Sequence, residues 1–307
     1  MPAIGFICPD GQTTTFEECF SECRLRDHFP TGRCKALPFL RKLAKQRPWE
    51  GIPSVTQLLS GTREQMLKIT KDYFIDPERK VTALIGTNTH YVLYKLADTQ
   101  YAEETLYQEL LQGTYDMYDP ISKTLYDYKT WGVWKLAKIL KGDPQRRADA
   151  LFDVVVQMHL YKQMFLEKYP ELEIQTLAVQ VICRESDLRQ AHEAQIPQGS
   201  PVLVLPTVSD TVITKYAQLK KHMLKTAIET QWAPVCTKRE NWEGKKCLKW
   251  CDAREFCLRM TSLNTPLWEE LKMELFSREN AILSEIMKNL ENTKVTLWQK
   301  EESILNF

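Results

Sequence analysis

Nine cysteines, grouped as four, one and four along 307 residues, constrain this chain more than any other feature of its sequence. Disulfides are rare in reducing compartments, where grouped cysteines more often hold metal. Four thiolates can complete a tetrahedral zinc site or hold an iron–sulfur cluster. Cys183 lies alone in an apolar stretch, which is typical of a packed core thiol. The two groups of four are Cys8, Cys19, Cys23 and Cys34, and Cys236, Cys247, Cys251 and Cys257.

Composition narrows the class of protein. Charged residues make up 26% and hydrophobic residues 43% of the chain, which excludes disordered and low-complexity classes. No apolar run approaches the roughly 18 residues that a membrane span needs, and the first residues lack the pattern of a signal peptide. We therefore expect a protein of the reducing cytoplasm without a membrane partner. A net charge of +1 decides nothing about nucleic acid, because a binding surface is local.

The order of the predicted elements indicates a mixed α/β fold. Alternating segments rich in Tyr and Thr predict paired strands, and continuous apolar segments predict buried strands. Predicted strands lie within residues 104–119, 124–131, 173–184 and 201–208. Predicted helices lie at residues 54–70, 84–97, 144–170 and 210–231.

Two acidic residues and a lysine fall on neighbouring predicted strands. Asp116 lies in one, and Asp127 and Lys129 lie two apart in the next, so the latter two share one face. Carboxylates that hold a divalent cation next to an ammonium group suit phosphodiester hydrolysis, and hard oxygen ligands favour Mg²⁺ or Mn²⁺. The alternative is that these are exposed strand charges, because an acidic residue two positions before a lysine is common.

Two further motifs flank this group. His90 ends the sequence GTNTH at the start of a predicted helix, where a neutral imidazole can add a metal ligand. Gln157 and Tyr161 are one helical turn apart, so both side chains can point toward one site. His159, between them, is expected to be a packing or surface residue.

Together these motifs resemble the RecB-type branch of the PD-(D/E)xK nuclease superfamily, which includes nuclease domains of helicase–nucleases and small CRISPR-associated exonucleases. The resemblance covers roughly residues 53–257, and its strength lies in four motifs in the right order. They are the histidine motif at His90, G-x-x-D at Gly113–Asp116, D-x-K at Asp127–Lys129, and Q-x-x-x-Y at Gln157–Tyr161.

The resemblance implies a restriction-endonuclease-like core with a mixed central sheet flanked by helices. It implies that Lys129 assists the attacking water, and that Gln157 and Tyr161 position the site or the DNA strand. Glu103 or Glu104 can offer another carboxylate, although a solvated surface glutamate is the simpler interpretation of each. The implied ligands of Mg²⁺ or Mn²⁺ are His90, Asp116, Asp127 and the backbone carbonyl of Tyr128.

Many RecB-type nucleases also hold an iron–sulfur cluster through one cysteine before the core and three after it. This chain departs from that pattern, because Gly61-Thr62-Arg63 stands where a cysteine–proline–arginine sequence is expected. Cys236 can supply the missing fourth ligand, and [4Fe–4S] and Zn²⁺ both stay open for this group. The metal would staple the C-terminal segment onto the core. The matching downstream triplet is Cys247, Cys251 and Cys257.

The N-terminal cysteines predict a structural Zn²⁺ site, because a short segment with little apolar content needs a metal to fold. His28 is a possible substitute ligand at this site. For the C-terminal group, the alternative is a set of unrelated buried cysteines. The predicted organisation is a cysteine-rich module at 1–48, a nuclease core at 49–235, and a cysteine cluster with a helical segment at 236–307.

DNA is the predicted partner. Basic residues concentrate within residues 24–47, at 215–225 (Lys220 among them) and at 238–249, where they alternate with Trp242 and Trp250. Phosphate attraction and aromatic stacking suit single-stranded DNA, whereas the alternative is solvated charges with tryptophans in a core.

The predicted function is a metal-dependent deoxyribonuclease, with exonuclease action on single strands or ends favoured, in a complex of DNA repair, recombination or defence. The alternatives are a non-catalytic DNA-binding or recruitment subunit on the same fold, and a zinc-dependent transcription regulator. The intact D-x-K motif argues against the first of these. The four ordered motifs argue against the second.

Overall fold

The structure is a computed structural model that describes residues 3–108, 111–185, 189–193, 200–261, 266–293 and 295–297. It is mixed α/β, as predicted. The strands are β1 Gly5–Ile7, β2 Thr13–Thr15, β3 Phe74–Ile75, β4 Thr105–Gln108, β5 Leu111–Thr114, β6 Met117–Asp119, β7 Thr124–Trp131, β8 Thr176–Cys183, β9 Val202–Val204 and β10 Thr296–Leu297. The α-helices are α1 Phe16–Ser21, α2 Leu37–Ala44, α3 Val55–Leu59, α4 Thr62–Thr70, α5 Val81–Leu96, α6 Val133–Lys141, α7 Pro144–Lys168, α8 Arg189–Glu193, α9 Asp210–Thr230, α10 Lys245–Lys249, α11 Arg254–Thr261 and α12 Pro266–Glu291.

The chain forms two compact units. The first comprises the described residues of Met1–Ile85 and Gln218–Ser277, and the second those of Gly86–Ala217 and Arg278–Phe307. Both groups of four cysteines therefore belong to the first unit, and the four motifs from His90 to Tyr161 belong to the second. The three-segment organisation predicted from the sequence is a different division of the chain, and it stays a prediction.

The second unit contains a five-stranded sheet in the order β10-β9-β8-β7-β6. Strands β7 and β8 are parallel over their full length, with Asp127 opposite Val179, and the other neighbours are antiparallel. The apolar sequence of β8 explains its central place, since a strand covered on both faces reads as a nearly continuous apolar run. Helix α7 contacts α6 and β7, and it buries Phe152, Val155 and Phe165.

Asp116 does not lie in a strand, which corrects the prediction. It occupies the two-residue link between the β4–β5 hairpin and β6, where the chain passes from one sheet to the other. Tyr115 anchors this link. Its fully buried ring meets Phe165 edge to face at 5.2 Å, and its backbone N–H donates to the carbonyl of Glu104.

The helix predicted over residues 54–70 is interrupted. Ser54 caps α3 through a capping box with Gln57, and a second helix, α4, begins after Gly61. A Cβ atom at Gly61 would clash with the sulfur of Cys236. Glycine at this break therefore lets the C-terminal cysteine segment approach α4 closely.

The first unit contains a small sheet in the order β2-β1-β3, with Phe6 of β1 packed edge to face on Phe16 and Phe20 of α1. Thr15 caps α1 through a capping box with Glu18. Among the residues that the structure describes, no helix is both long enough and apolar enough to cross a membrane.

Candidate metal centre

Helix α5 delivers His90 to the sheet through a close approach at Gly86. A Cβ atom at Gly86 would lie 3.3 Å from Oγ1 of Thr130 on β7, which is tighter than ordinary van der Waals contact. His90 follows Gly86 by four residues and therefore lies on nearly the same side of the helix. The glycine of the G-x-x-x-H motif thus explains how the imidazole reaches the sheet.

Three potential ligands converge at this point. Nδ1 of His90 lies 2.8 Å from Oδ1 of Asp116 and 3.8 Å from Oε1 of Glu103. The ligand atoms of the three residues all lie within 4.8 Å of one another. This spacing suits a common divalent ion, because ligands at about 2.0–2.6 Å from an ion lie roughly 3–5 Å apart.

The electrostatics of these groups show a concentration of negative charge. The hydrogen bond to Asp116 raises the pKa of His90. Burial raises the pKa of Glu103, and the nearby carboxylate of Asp116 raises it further. A bound cation would relieve the repulsion between these carboxylates.

The structure distinguishes between the two adjacent glutamates. Glu103 has a φ of 50°, and its backbone N–H donates to the carbonyl of Asp116 at 2.9 Å. Glu104 instead accepts hydrogen bonds from Tyr169 and Tyr115 and pairs with Lys168. Glu103 therefore joins His90 and Asp116 in a set of potential ligands, here called the metal group. Glu104 is occupied elsewhere.

Asp127, Lys129 and Gln157 form the adjoining part of the site. Oδ2 of Asp127 lies 2.7 Å from Nζ of Lys129, and Oδ1 accepts a hydrogen bond from the amide of Gln157 at 3.3 Å. Asp127 is only 1% exposed, and burial raises its pKa to about 6 against the opposing charge of Lys129. The ion pair with Lys129 thus offsets part of the cost of burying this carboxylate.

Tyr161 and Tyr128 support the acidic residues. The amide of Gln157 also donates to the hydroxyl of Tyr161 at 3.0 Å, and burial raises the pKa of this phenol. The backbone N–H of Tyr128 donates to Oδ2 of Asp116 at 2.5 Å. Both oxygens of Asp116 are thereby oriented, whereas the predicted metal contact of the Tyr128 carbonyl stays a prediction.

These residues fit a divalent cation. Two carboxylates and an imidazole offer ligand atoms together, and a third, buried carboxylate, Asp127, is held 2.7 Å from the ammonium group of Lys129. Mg²⁺ and Mn²⁺ prefer such oxygen-rich sites. Lys129 is partly exposed, so its ammonium group can also reach a bound substrate.

The C-terminal cysteines lie in the first unit beside α4. Burial raises the pKa of Cys236 to about 12 and that of Cys251 to about 11, so both thiols stay protonated unless a cation is near. The guanidinium of Arg63 lies 3.9 Å from the sulfur of Cys257. Two ion pairs, Lys246 with Glu64 and Asp252 with Lys68, join the same segment to α4.

The N-terminal cysteines line one cavity of about 370 Å³. Burial raises the pKa of Cys19 to about 11, and the three neighbouring thiols add to the shift. Across the described residues, the histidine–carboxylate group is the one set of at least three potential ligands within 4.8 Å. Neither group of cysteines is that compact, so Zn²⁺ and the [4Fe–4S] cluster stay predictions. The cavity-lining cysteines are Cys8, Cys19, Cys23 and Cys34.

The structure separates the residues of the predicted basic surface into buried and exposed ones. Lys220 is buried, where it donates to Glu240 at 2.7 Å and to Thr62 at 3.1 Å, so it is not available to phosphate. Trp242 and Trp250 are both substantially exposed, with ring centroids 5.7 Å apart, which contradicts their placement in a core.

His159 is a packing residue, as expected. Its ring is fully buried, and Nε2 accepts a hydrogen bond from the backbone N–H of Val208 at 3.1 Å. Burial lowers the pKa of this histidine. The neutral ring is therefore part of the interior of the second unit.

The chain shows little similarity to known proteins. No protein-family model and no curated protein matches the chain. Among solved structures, the crystal structure of SSO0001 is similar over 70% of this chain and 90% of that chain, with a TM-score of 0.39 and 16% sequence identity. At that level of similarity the neighbour carries no argument about this chain.

Proposed function

We propose that this chain is a divalent-metal-dependent deoxyribonuclease on a RecB-type, restriction-endonuclease-like core. The observation that carries the proposal is the convergence of His90, Glu103 and Asp116 beside the Asp127–Lys129 pair. Phosphodiester hydrolysis uses this combination of a cation site and a neighbouring ammonium group. Exonuclease action on single strands or DNA ends is the favoured mode.

The metal would be Mg²⁺ or Mn²⁺, held by the carboxylates of Glu103, Asp116 and Asp127 with the imidazole of His90. Bound there, it supplies neutralisation of phosphate charge and a lowered pKa for a nearby water. The cation would also offset the mutual repulsion of these carboxylates and keep the buried Asp127 ionised. Without a cation, the close approach of these carboxylates would cost free energy through repulsion.

The chain's own residues orient the reactants. Lys129 can donate a hydrogen bond to the attacking water or to a phosphate oxygen, where charge develops in the transition state. Gln157 holds Asp127 through its amide, and the hydroxyl of Tyr161 fixes that amide in turn. The backbone N–H of Tyr128 holds Asp116 in the same manner.

The structural cysteine sites, the DNA partner and the cytoplasmic location belong to the same proposal. Four thiolates in each group suit Zn²⁺, and the C-terminal group also suits a [4Fe–4S] cluster. Nζ of Lys246 lies 5.6 Å from the ring centroid of the exposed Trp242, and Nζ of Lys249 lies 5.9 Å from that of the exposed Trp250. Aromatic rings beside ammonium groups suit single-stranded DNA. A complex of DNA repair, recombination or defence is the setting in which such an enzyme would act.

The decisive experiment is DNA cleavage. Labelled single- and double-stranded DNA would be incubated with Mg²⁺ or Mn²⁺ and with unmutated protein, Asp127→Ala or Lys129→Ala. Each substitution is expected to slow cleavage by about 10²–10³-fold, the cost of removing one charge-stabilising group. Lys123→Ala, which removes an exposed lysine of the β6–β7 hairpin paired with Glu173, should leave the rate unchanged.

Two outcomes would reject the nuclease. One is no cleavage by the unmutated protein, and the other is equal cleavage by the unmutated protein, Asp127→Ala and Lys129→Ala. DNA binding without cleavage would favour the non-catalytic binding or recruitment subunit on the same fold.

A further inference from the structure

Helix α5 carries an exposed aromatic surface immediately beside the candidate metal group. None of its sixteen residues is buried. Tyr91 is 61% and Tyr94 41% exposed, although tyrosine rings more often pack against their own protein. Two exposed rings on the helix that carries His90 are suited to contact a binding partner.

The two rings share one ammonium group. Nζ of Lys95 lies 5.7 Å from the ring centroid of Tyr91 and 5.5 Å from that of Tyr94. Both distances fall within cation–π range. Tyr91, Tyr94 and Lys95 therefore form one continuous surface, here called the tyrosine strip.

The tyrosine strip adjoins the site. At 100° per residue, Tyr94 lies about 40° around the helix from His90, Tyr91 about 100° and Lys95 about 140°. The strip thus begins next to the imidazole that contacts Asp116 and runs around one side of α5. A strand that reaches the metal group can pass over the two rings.

The chemistry of the strip distinguishes between partners. Protein interfaces are enriched in Tyr but depleted in Lys, whose ammonium group must lose its water when it is buried. Single-stranded DNA offers unpaired bases for the rings and a phosphate for the ammonium group. A duplex keeps its bases stacked and cannot use the rings in this way.

We propose that the tyrosine strip stacks on unpaired bases of a DNA strand next to the metal group, with Lys95 at the backbone phosphate. This inference rests on the proposed nuclease function and specifies its substrate as single-stranded DNA at the site. Tyr91 and Tyr94 are positioning residues for the strand and take no part in the hydrolysis.

The test measures binding apart from cleavage. Fluorescence anisotropy without added Mg²⁺ or Mn²⁺ would follow an oligothymidylate of about 15 nucleotides, a length that single-strand binding surfaces can cover. The double variant Tyr91→Ala/Tyr94→Ala is expected to bind about 10- to 100-fold more weakly, and Tyr91→Phe/Tyr94→Phe to bind like the unmutated protein. Tyr107→Ala, which removes a ring that is 62% exposed on β4, is the matched control and should bind normally.

An abasic strand of the same length separates stacking from phosphate attraction. The unmutated protein and the double alanine variant should bind the abasic strand equally. The proposal is overturned by unchanged affinity of the double variant for oligothymidylate, by an equal loss on both strands, or by no binding of the unmutated protein. It is also overturned if removal of the rings dissociates an oligomer, which would assign the strip to a second copy of the chain.

The metal-dependent assay keeps the two proposals distinct. Stacking without cleavage would remove the nuclease and leave the strip as a single-strand binding surface. Cleavage with an unaffected double variant would retain the nuclease and remove the strip.

Discussion

At the scale of single residues, backbone conformation decides which of two adjacent glutamates reaches the metal group. Glu103 adopts a left-handed conformation that costs a non-glycine residue roughly 1–2 kcal/mol. Such strain persists where the surrounding structure imposes it, often at functional sites. Here the hydrogen bond to the carbonyl of Asp116 holds Glu103 in place, and the side chain of Glu104 points to Tyr169 instead.

Glu103→Gln is therefore expected to weaken Mn²⁺ binding. Loss of one ligand carboxylate should cost at least the roughly tenfold that loss of an outer partner costs. Isothermal titration with Mn²⁺ would measure it, with Glu104→Gln as the neighbouring control that keeps the affinity of the unmutated protein. Equal affinities for the two variants would remove Glu103 from the metal group.

The Lys220–Glu240 pair makes a second prediction, on stability. Although burial disfavours the Glu240 carboxylate, the adjacent Lys220 ammonium holds its pKa below the usual 4.5. The pair therefore stabilises the fold above about pH 4.5, and this contribution disappears as the pH falls through the lower pKa of the folded state. Glu240→Gln leaves a buried ammonium without its counter-ion and should cost about 3–5 kcal/mol near pH 7.

Urea unfolding between pH 7 and pH 3 would measure this effect as a difference from the unmutated protein. The difference should shrink toward the acid end. Lys220→Met/Glu240→Leu is the control, since replacing both charges of a buried pair with apolar residues is often neutral. A difference that does not change with pH would contradict the role of this pair.

At the scale of elements, the contact between α5 and β7 decides whether the motifs form one site. The two elements are separated by the β4–β5 hairpin in the sequence, and Gly86 allows them to meet at Thr130. The parallel pairing of β7 with β8 then holds Asp127 and Lys129 in register beside α7, which carries Gln157. Three elements thus contribute side chains to one point.

Gly86→Leu is expected to displace α5 from β7 and to slow DNA cleavage by about 10²-fold, because small misplacements of catalytic groups are costly. Asn88→Leu introduces the same side chain at an exposed position on α5 and serves as the control. Cleavage rates of the two variants would be compared under saturating Mg²⁺. A normal rate for Gly86→Leu would show that the close approach is unnecessary.

The long elements β7, β8, α5 and α7 could be predicted from the sequence, because their patterns are local. Strand β8 has an apolar run, strand β7 alternates, and helix α7 has a long amphipathic pattern. All three elements lie where they were expected. The break between α3 and α4 and the place of Asp116 outside the strands were missed. Both depend on contacts with distant residues, Cys236 in the first case and Phe165 beside Tyr115 in the second.

At the scale of the whole molecule, the two kinds of predicted metal site are separated between the two units. Both groups of four cysteines lie in the first unit, and the histidine–carboxylate group lies in the second. Each unit also has its own sheet, β2-β1-β3 in the first and the five-stranded sheet in the second. The predicted structural metal of the first unit and the proposed divalent cation of the second should therefore respond to different substitutions.

Removing a thiolate ligand should therefore affect the first unit selectively. Cys247→Ser is expected to lower the bound zinc or iron, and to increase hydrogen exchange in residues 236–257, while exchange in β7 and α7 stays unchanged. Cys183→Ala removes the lone buried cysteine of β8 and is the control that should leave the metal content intact. Metal analysis, absorbance near 400 nm and hydrogen exchange would provide the measurements. An unchanged metal content in Cys247→Ser would contradict the predicted site.

The sequence by itself determined the mixed α/β class, the long elements β7, β8, α5 and α7, and the residue types available for a metal site. These follow from periodicity, capping and the chemistry of side chains, which act over a few neighbouring residues. Only the tertiary structure decided that Glu103 rather than Glu104 joins His90 and Asp116, that Lys220 is buried, and that both cysteine groups share a unit. Those outcomes depend on the approach of segments far apart in the chain, where close packing and the cost of burying charge select one arrangement.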